Sequence, residues 1–212
     1  MSEVSSRHYH HFFAREVLLG KSSEAALVVI DVQYGLDNPR LGERNNPDAE
    51  QRIADLLAAW RSAGKPVIHV QHMSTEPQSL LRPGLPGNAI KKEAAPIAGE
   101  PLFQKTVNSA FIGTGLEEYL HAKGIQSLVM VGLTTCHCIS TSARMGANLG
   151  FDVTVVADAT ATHEQRGYDG TRYAADLLHN TELASLNQEF ATIRNSSDVL
   201  AEVGESLPAV KR

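Results

Sequence analysis

From residue 25 to residue 33 the chain reads AALVVIDVQ, an almost unbroken apolar run. A run of that length suits a strand buried on both faces of a parallel sheet. Past a polar stretch, Asn46 and Pro47 open a segment in which Ile53, Leu56, Leu57 and Trp60 recur at helical spacing until Gly64. Proline in the first turn and glycine just beyond the last are the ordinary marks of a helix start and stop. Residues 66–70 (PVIHV) follow at once as a short strand, completing a strand, helix, strand unit whose crossover should be right-handed. The rhythm then lapses. Residues 73–101 hold Pro77, Pro83, Pro86, Pro96 and Pro101 with little periodicity, and read as one long loop. Long loops in compact domains commonly carry function.

Periodicity resumes with a helix over 116–123 ended by Gly124, a strand over 127–131 and a helix over 139–149 ended by Gly150. A strand over 153–156, a long helix over 168–186, a short strand over 191–193 and a terminal helix through 199–203 complete the series. Strands alternating with helices predict an α/β fold of the Rossmann-like, three-layer kind: an open, mostly parallel sheet covered by helices on both faces. A chain of 212 residues suits one core. With no internal repeat or interdomain linker, the organisation reads as an arm over 1–24 and a single domain over 25–212. The arm segment 7–13 (RHYHHFF) is better suited to docking against the domain or a neighbouring subunit than to holding a metal.

Composition narrows the function. The formal net charge is -5 with both signs scattered, so no basic stripe exists to neutralise phosphates and nucleic acid is not expected as a partner. No segment approaches the roughly 20 apolar residues of a membrane helix, and the start has no signal-peptide core, so a cytoplasmic protein with no membrane partner is expected. Cys136 and Cys138 are the only two cysteines. Residues two apart rarely close an unstrained disulfide, and the pair reads as free thiols available for chemistry.

Ligands of open α/β sheets bind beyond the carboxyl ends of the strands. Asp31 lies at the end of the first apolar run, where burying a carboxylate is costly without a partner, although a turn-capping aspartate would sit there equally well. Cys138 lies between a strand and a helix, where helix N-terminal amides would favour a thiolate and offer donors to an oxyanion. Lys105 follows the long loop; a lone lysine is ordinarily a solvated charge and says little by itself.

Taken together, four segments resemble the isochorismatase-like hydrolases, a family that includes nicotinamidases, carbamoylsarcosine amidases, and ureidoacrylate and biuret hydrolases. They are residues 29–33 (VIDVQ), Lys105 with 109–111 (SAF), 131–139 (VGLTTCHCI) and 155–159 (VVADA). In order and spacing the resemblance spans about residues 25–195. The family's Gly, two residues, Thr, two residues, Cys pattern is met by Gly132, Thr135 and Cys138, while Cys136 stands where relatives often carry Asp or Asn. The resemblance implies Cys138 as nucleophile, Asp31 as general base, and Lys105 holding the pair in place. It also implies an oxyanion hole from the backbone amides of Thr134 and Cys138, with a cis peptide between Leu133 and Thr134. The implied reaction is attack on the carbonyl of a small amide, ureide or carbamoyl compound and hydrolysis of a thioester, with no cofactor, in a homo-oligomer.

Gln33, Tyr34, Asn108, Phe111 and His137 are candidates for the pocket wall. Arg82, Lys91 and Lys92 would favour an anionic substrate if they faced inward. No metal is expected: the nicotinamidase Asp-x-His motif is replaced by residues 69–72 (HVQH), and a metal site needs three or four convergent ligands. Vinyl-ether hydrolysis, as in true isochorismatases that lack the cysteine, and a non-catalytic binding protein on the same fold are the alternatives.

Overall fold

Strand β1 (Ala26–Ile30) is buried along its whole length, and its side chains alternate between two apolar layers. Ala26, Val28 and Ile30 enter one, and Leu27 and Val29 the other, as the two-residue period of a strand requires. The structure, a computed structural model, describes residues 25–205. The proposed arm over 1–24, with its histidine-rich segment, therefore lies outside the described residues.

Helix α1 (Ala49–Ser62) follows and inserts Ile53, Leu56, Leu57 and Trp60 into the second layer, the indole N–H donating to the Ala25 carbonyl at 2.9 Å. β2 (Val67–His72) returns beside β1. Next come β3 (Leu102–Lys105), α2 (Leu116–Ala122) and β4 (Ser127–Leu133), and a single π-helical turn over Thr135–Ile139 leads into α3 (Ser140–Asn148). β5 (Asp152–Ala161), the small hairpin of β6 (Gln165–Arg166) and β7 (Arg172–Tyr173), α4 (Ala175–Leu186), β8 (Thr192–Arg194) and α5 (Ser196–Glu205) finish the fold. The central sheet has the order β3-β2-β1-β4-β5-β8, and every pair in it is parallel. α1 and α5 cover one face; α2, α3 and α4 cover the other.

Three sequence expectations need correction. Residues 102–105 form an edge strand within what reads as unstructured flank, because four residues of which only Lys105 is buried show neither an apolar run nor a clean alternation. The long helix expected over 168–186 starts only at Ala175; the polar stretch before it is the β6/β7 hairpin, with Tyr168 exposed at its tip. β5 runs well past Val156, to Ala161. A register shift opposite Met130 and Gly132 bulges it, and Asn46 Nδ2 donates to the Ala157 and Thr160 carbonyls across that bulge.

The strand order reverses between β1 and β4: the chain winds outward from β1 through β2 and β3, then crosses back to β4 on the opposite side. This is the switch point at which open α/β sheets open a crevice. Gly132 lets the two strands approach there. Its φ is +124°, and a Cβ at that position would stand 2.0 Å from the Ile30 carbonyl oxygen. Gly132→Ala is expected to lower stability by about 3 kcal/mol, since both the backbone conformation and the contact resist a methyl. Urea denaturation of the variant against wild type measures it, and a loss under about 0.5 kcal/mol would show that the strands can move apart.

Candidate active site

Three strand ends converge at the switch point. Asp31 follows β1 with φ +53°, in the left-handed region that aspartate tolerates better than most residues. Lys105 is the last residue of β3, and Cys138 lies in the π-helical turn after β4. Asp31 and Lys105 are each only 1% exposed. Lys105 Nζ stands 2.6 Å from Asp31 Oδ2 and donates to Cys138 Sγ at 3.2 Å, to His72 Nδ1 at 3.0 Å and to the Val107 carbonyl at 3.1 Å. The three N–H groups thus have acceptors in His72, Val107 and Cys138, while Asp31 is held by charge. The Asp31 carboxylate faces both the Lys105 ammonium and the Cys138 thiol, so it stands within reach of the thiol proton.

Burial lifts the Asp31 carboxyl above the usual carboxylate range, with the Lys105 charge opposing it. Cys138 is pushed up to about 12, first by burial and then by the Asp31 charge, again against Lys105. A resting thiolate, expected from the helix terminus, is therefore not what these surroundings favour. Asp31 and Lys105 already sum to zero, and ionising the sulfur outright would leave a net negative charge in a dry site. Moving the thiol proton onto Asp31 keeps the sum at zero. The cluster is arranged for that internal transfer.

Asp31, His72 and Cys138 offer ligand atoms within 4.8 Å of one another, which also describes a metal-binding triad. Lys105 Nζ, however, touches all three, so an ammonium stands where a metal would have to bind. His72 is held down to about 4 by burial and by that ammonium, which makes it a neutral acceptor. The residues present do not fit a metal.

Above the cluster lies a chamber of about 270 Å³ lined from five strand ends. Asn108 and His137, both expected, stand in its wall; Asn108 Oδ1 is 3.9 Å from Cys138 Sγ, and His137 Nδ1 is 3.0 Å from Thr134 Oγ1. The other three candidates are not brought there. Gln33 is fully buried behind the site, its Nε2 donating to the His72 and Asn88 carbonyls and its Oε1 accepting from His72 N, so it ties the long loop to the sheet. Tyr34 lines a separate groove of about 780 Å³ with Leu85 and Pro86. Phe111 is a core residue stacked on Phe151. Cys136 is half-buried, outside the chamber lining, and burial raises its thiol.

Sequence reasoning missed the chamber's far wall, residues 162–165 after β5, together with Leu36, Leu41 and Leu81. The signal for the first was available: ATATH at 159–163 continues the strand pattern to a histidine at a strand end. The peptide between Leu133 and Thr134 is cis, where the resemblance puts it.

Fold and site together define an α/β protein with an acid, an amine and a thiol at its switch point. The isochorismatase domain profile matches residues 25–198, and the chain belongs to the isochorismatase family of hydrolases. It is 46% identical over 175 residues, 82% of this chain and 94% of the relative, to the isochorismatase family protein YrdC of Bacillus subtilis. It is 30% identical to the ureidoacrylate amidohydrolase RutB of Stutzerimonas stutzeri, covering 79% of each chain. A crystal structure of an isochorismatase-family protein from Chromobacterium violaceum is 44% identical, with a TM-score of 0.84 over 87% of this chain and 96% of that one.

Proposed function

We propose that this protein is a cysteine amidohydrolase that cleaves the C–N bond of a small amide, ureide or carbamoyl compound. The observation that carries the reading is Lys105 Nζ reaching both Asp31, at 2.6 Å, and Cys138 Sγ, at 3.2 Å, beneath a chamber sized for a small molecule. In the proposed cycle Asp31 takes the thiol proton as Cys138 Sγ bonds to the substrate carbonyl carbon. The carbonyl oxygen, now an oxyanion, is received by the backbone amides of Thr134 and Cys138 at the start of the helical segment. The C–N bond breaks as the carboxylic acid of Asp31 gives its proton to the departing nitrogen, leaving a thioester. Asp31 then draws a proton from water, the hydroxide adds to the thioester carbon, and the acid product leaves as the sulfur recovers its proton. Lys105 keeps the cluster neutral at every stage. No cofactor or metal takes part.

The amidohydrolase name among the relatives agrees with this reading. Presence of Cys138 favours it over vinyl-ether hydrolysis, which needs no nucleophilic sulfur. An ammonia-release screen over small amides, ureides and carbamoyl compounds tests it with wild type, Cys138→Ala and Cys136→Ala. Turnover is expected in wild type and Cys136→Ala and absent in Cys138→Ala. Turnover that survives Cys138→Ala, or dies only with Cys136→Ala, refutes the assignment of the nucleophile.

A further inference from the structure

We infer that the chamber selects substrates whose far end carries no negative charge and rejects amides bearing a carboxylate; the inference deepens, and rests on, the amidohydrolase reading above. Among the described residues, no arginine or lysine lines the chamber. Lys105 lies beneath it, already matched by Asp31. The three loop cations that could have served an anion point elsewhere. Lys91 is buried with Nζ 2.5 Å from Asp37 and 2.6 Å from Glu50, Lys92 is exposed beside Glu93, and Arg82 donates to the Ser79 carbonyl on the surface. Arg44 forms a two-point pair with Glu50.

Glu164 also lines the chamber, but its charge is matched by Arg172 from the exposed β7 side. His163 is kept below its ordinary range first by burial and then by Arg44, so it presents a neutral imidazole, as His72 does. His137 faces the rim with Nδ1 on Thr134 Oγ1. What remains suits a neutral ligand: Leu36, Leu41, Leu81 and Leu133 supply apolar surface, and Asn108, Thr162 and Gln165 supply uncharged polar groups. A carboxylate entering here would give up its hydration and find no unpaired lysine or arginine in the lining. The partial positive charge of the helix terminus is directed to the reacting carbonyl at Cys138, not to the far wall.

Two measurements test this, and the first does not depend on amide turnover. In Cys136→Ala protein Cys138 is the sole thiol, and its alkylation by iodoacetamide and by iodoacetate differs only in reagent charge; in each case the sulfur displaces iodide. Normalised to the same rate ratio for free cysteine in the same buffer, the neutral reagent is expected to be favoured by about 100-fold, as sites with unmatched buried groups discriminate. A normalised ratio of one or less overturns the inference. Gln165→Arg, which supplies a cation at the wall, is expected to cut the preference at least tenfold; an unchanged preference also counts against it.

The second measurement offers the near-isosteric pair succinamide and succinamate to wild type. The diamide is expected to release one ammonia and stop, with the half-acid accumulating; equal kcat/KM for the two compounds overturns the inference. Should no amide be hydrolysed while alkylation still favours the neutral reagent, the amidohydrolase reading fails and the charge selection stands.

Discussion

Asp31→Asn is expected to abolish amide turnover while making Cys138 more reactive toward iodoacetamide. The two effects have opposite signs because Asp31 acts on the sulfur in two ways. Its carboxylate is the proton acceptor of the proposed cycle, and losing a positioned base typically removes about 10³-fold or more of rate. Its charge also disfavours the thiolate, being the second cause, after burial, that pushes Cys138 up to about 12. Asparagine removes that charge and leaves Lys105 without its 2.6 Å partner. A thiolate then becomes the group that neutralises Lys105, so the sulfur titrates lower and alkylation at pH 8 should rise by about tenfold or more, since only the thiolate reacts. Pre-steady-state alkylation of wild type and variant, with steady-state ammonia release alongside, decides it. If alkylation falls in step with turnover, Asp31 is not the source of the negative field at Cys138, and the internal proton transfer is wrong.

The fold was legible because its central strands are buried on both faces. β1 and β4 show near-continuous apolar runs, β2 keeps Val67, Ile68 and Val70 directly after the helix stop, and α1 shows an uninterrupted helical stripe that ends in glycine. Elements decided by tertiary context were not legible. β3 is an edge strand whose four residues alternate poorly between solvent and core, and it exists because His69, Val70, Gln71 and His72 pair with it. The β6/β7 hairpin is two residues per strand, with Glu164 and Arg172 pairing beside it, and such a short ladder leaves no periodicity to read.

The reactive residues were legible by position, as Asp31 and Cys138 each follow an obvious strand end. Lys105 was not, since the strand that gives it the same placement is invisible in the sequence; only the family resemblance singled it out. Among the wall candidates, local neighbourhood misled where it stood in for direction. Gln33, two residues from Asp31, points behind the site, because His72 and Asn88 offer its amide a full set of backbone partners there. Phe111 follows Lys105 by six residues but packs into the core on Phe151. His163 and its neighbours, more than twenty residues beyond Cys138, reach the chamber through the bulge of β5, a geometric detail without a sequence period.

Lys105→Met should be the most damaging single substitution for stability as well as for activity. It leaves Asp31 buried without its ion-pair partner, and breaking one side of a buried pair costs about 4 kcal/mol. The loss depends on pH in a definite direction. Burial already holds the Asp31 carboxyl above its ordinary 3.8, and removing the Lys105 charge, the main opposing influence, raises it further. A carboxyl with a raised value binds its proton more tightly folded than unfolded. The folded variant is therefore least penalised below the ordinary carboxylate range and loses stability as pH climbs from there through the raised value. Urea denaturation at pH 5 and pH 8 should show the larger deficit at pH 8. Adding Asp31→Asn removes the unpaired charge, and the double variant should recover most of the stability at both pH values while staying inactive. A deficit equal at both pH values, or no recovery in the double variant, would mean that Lys105 stabilises the fold through its contacts with His72 and Val107 rather than by holding the charge of Asp31.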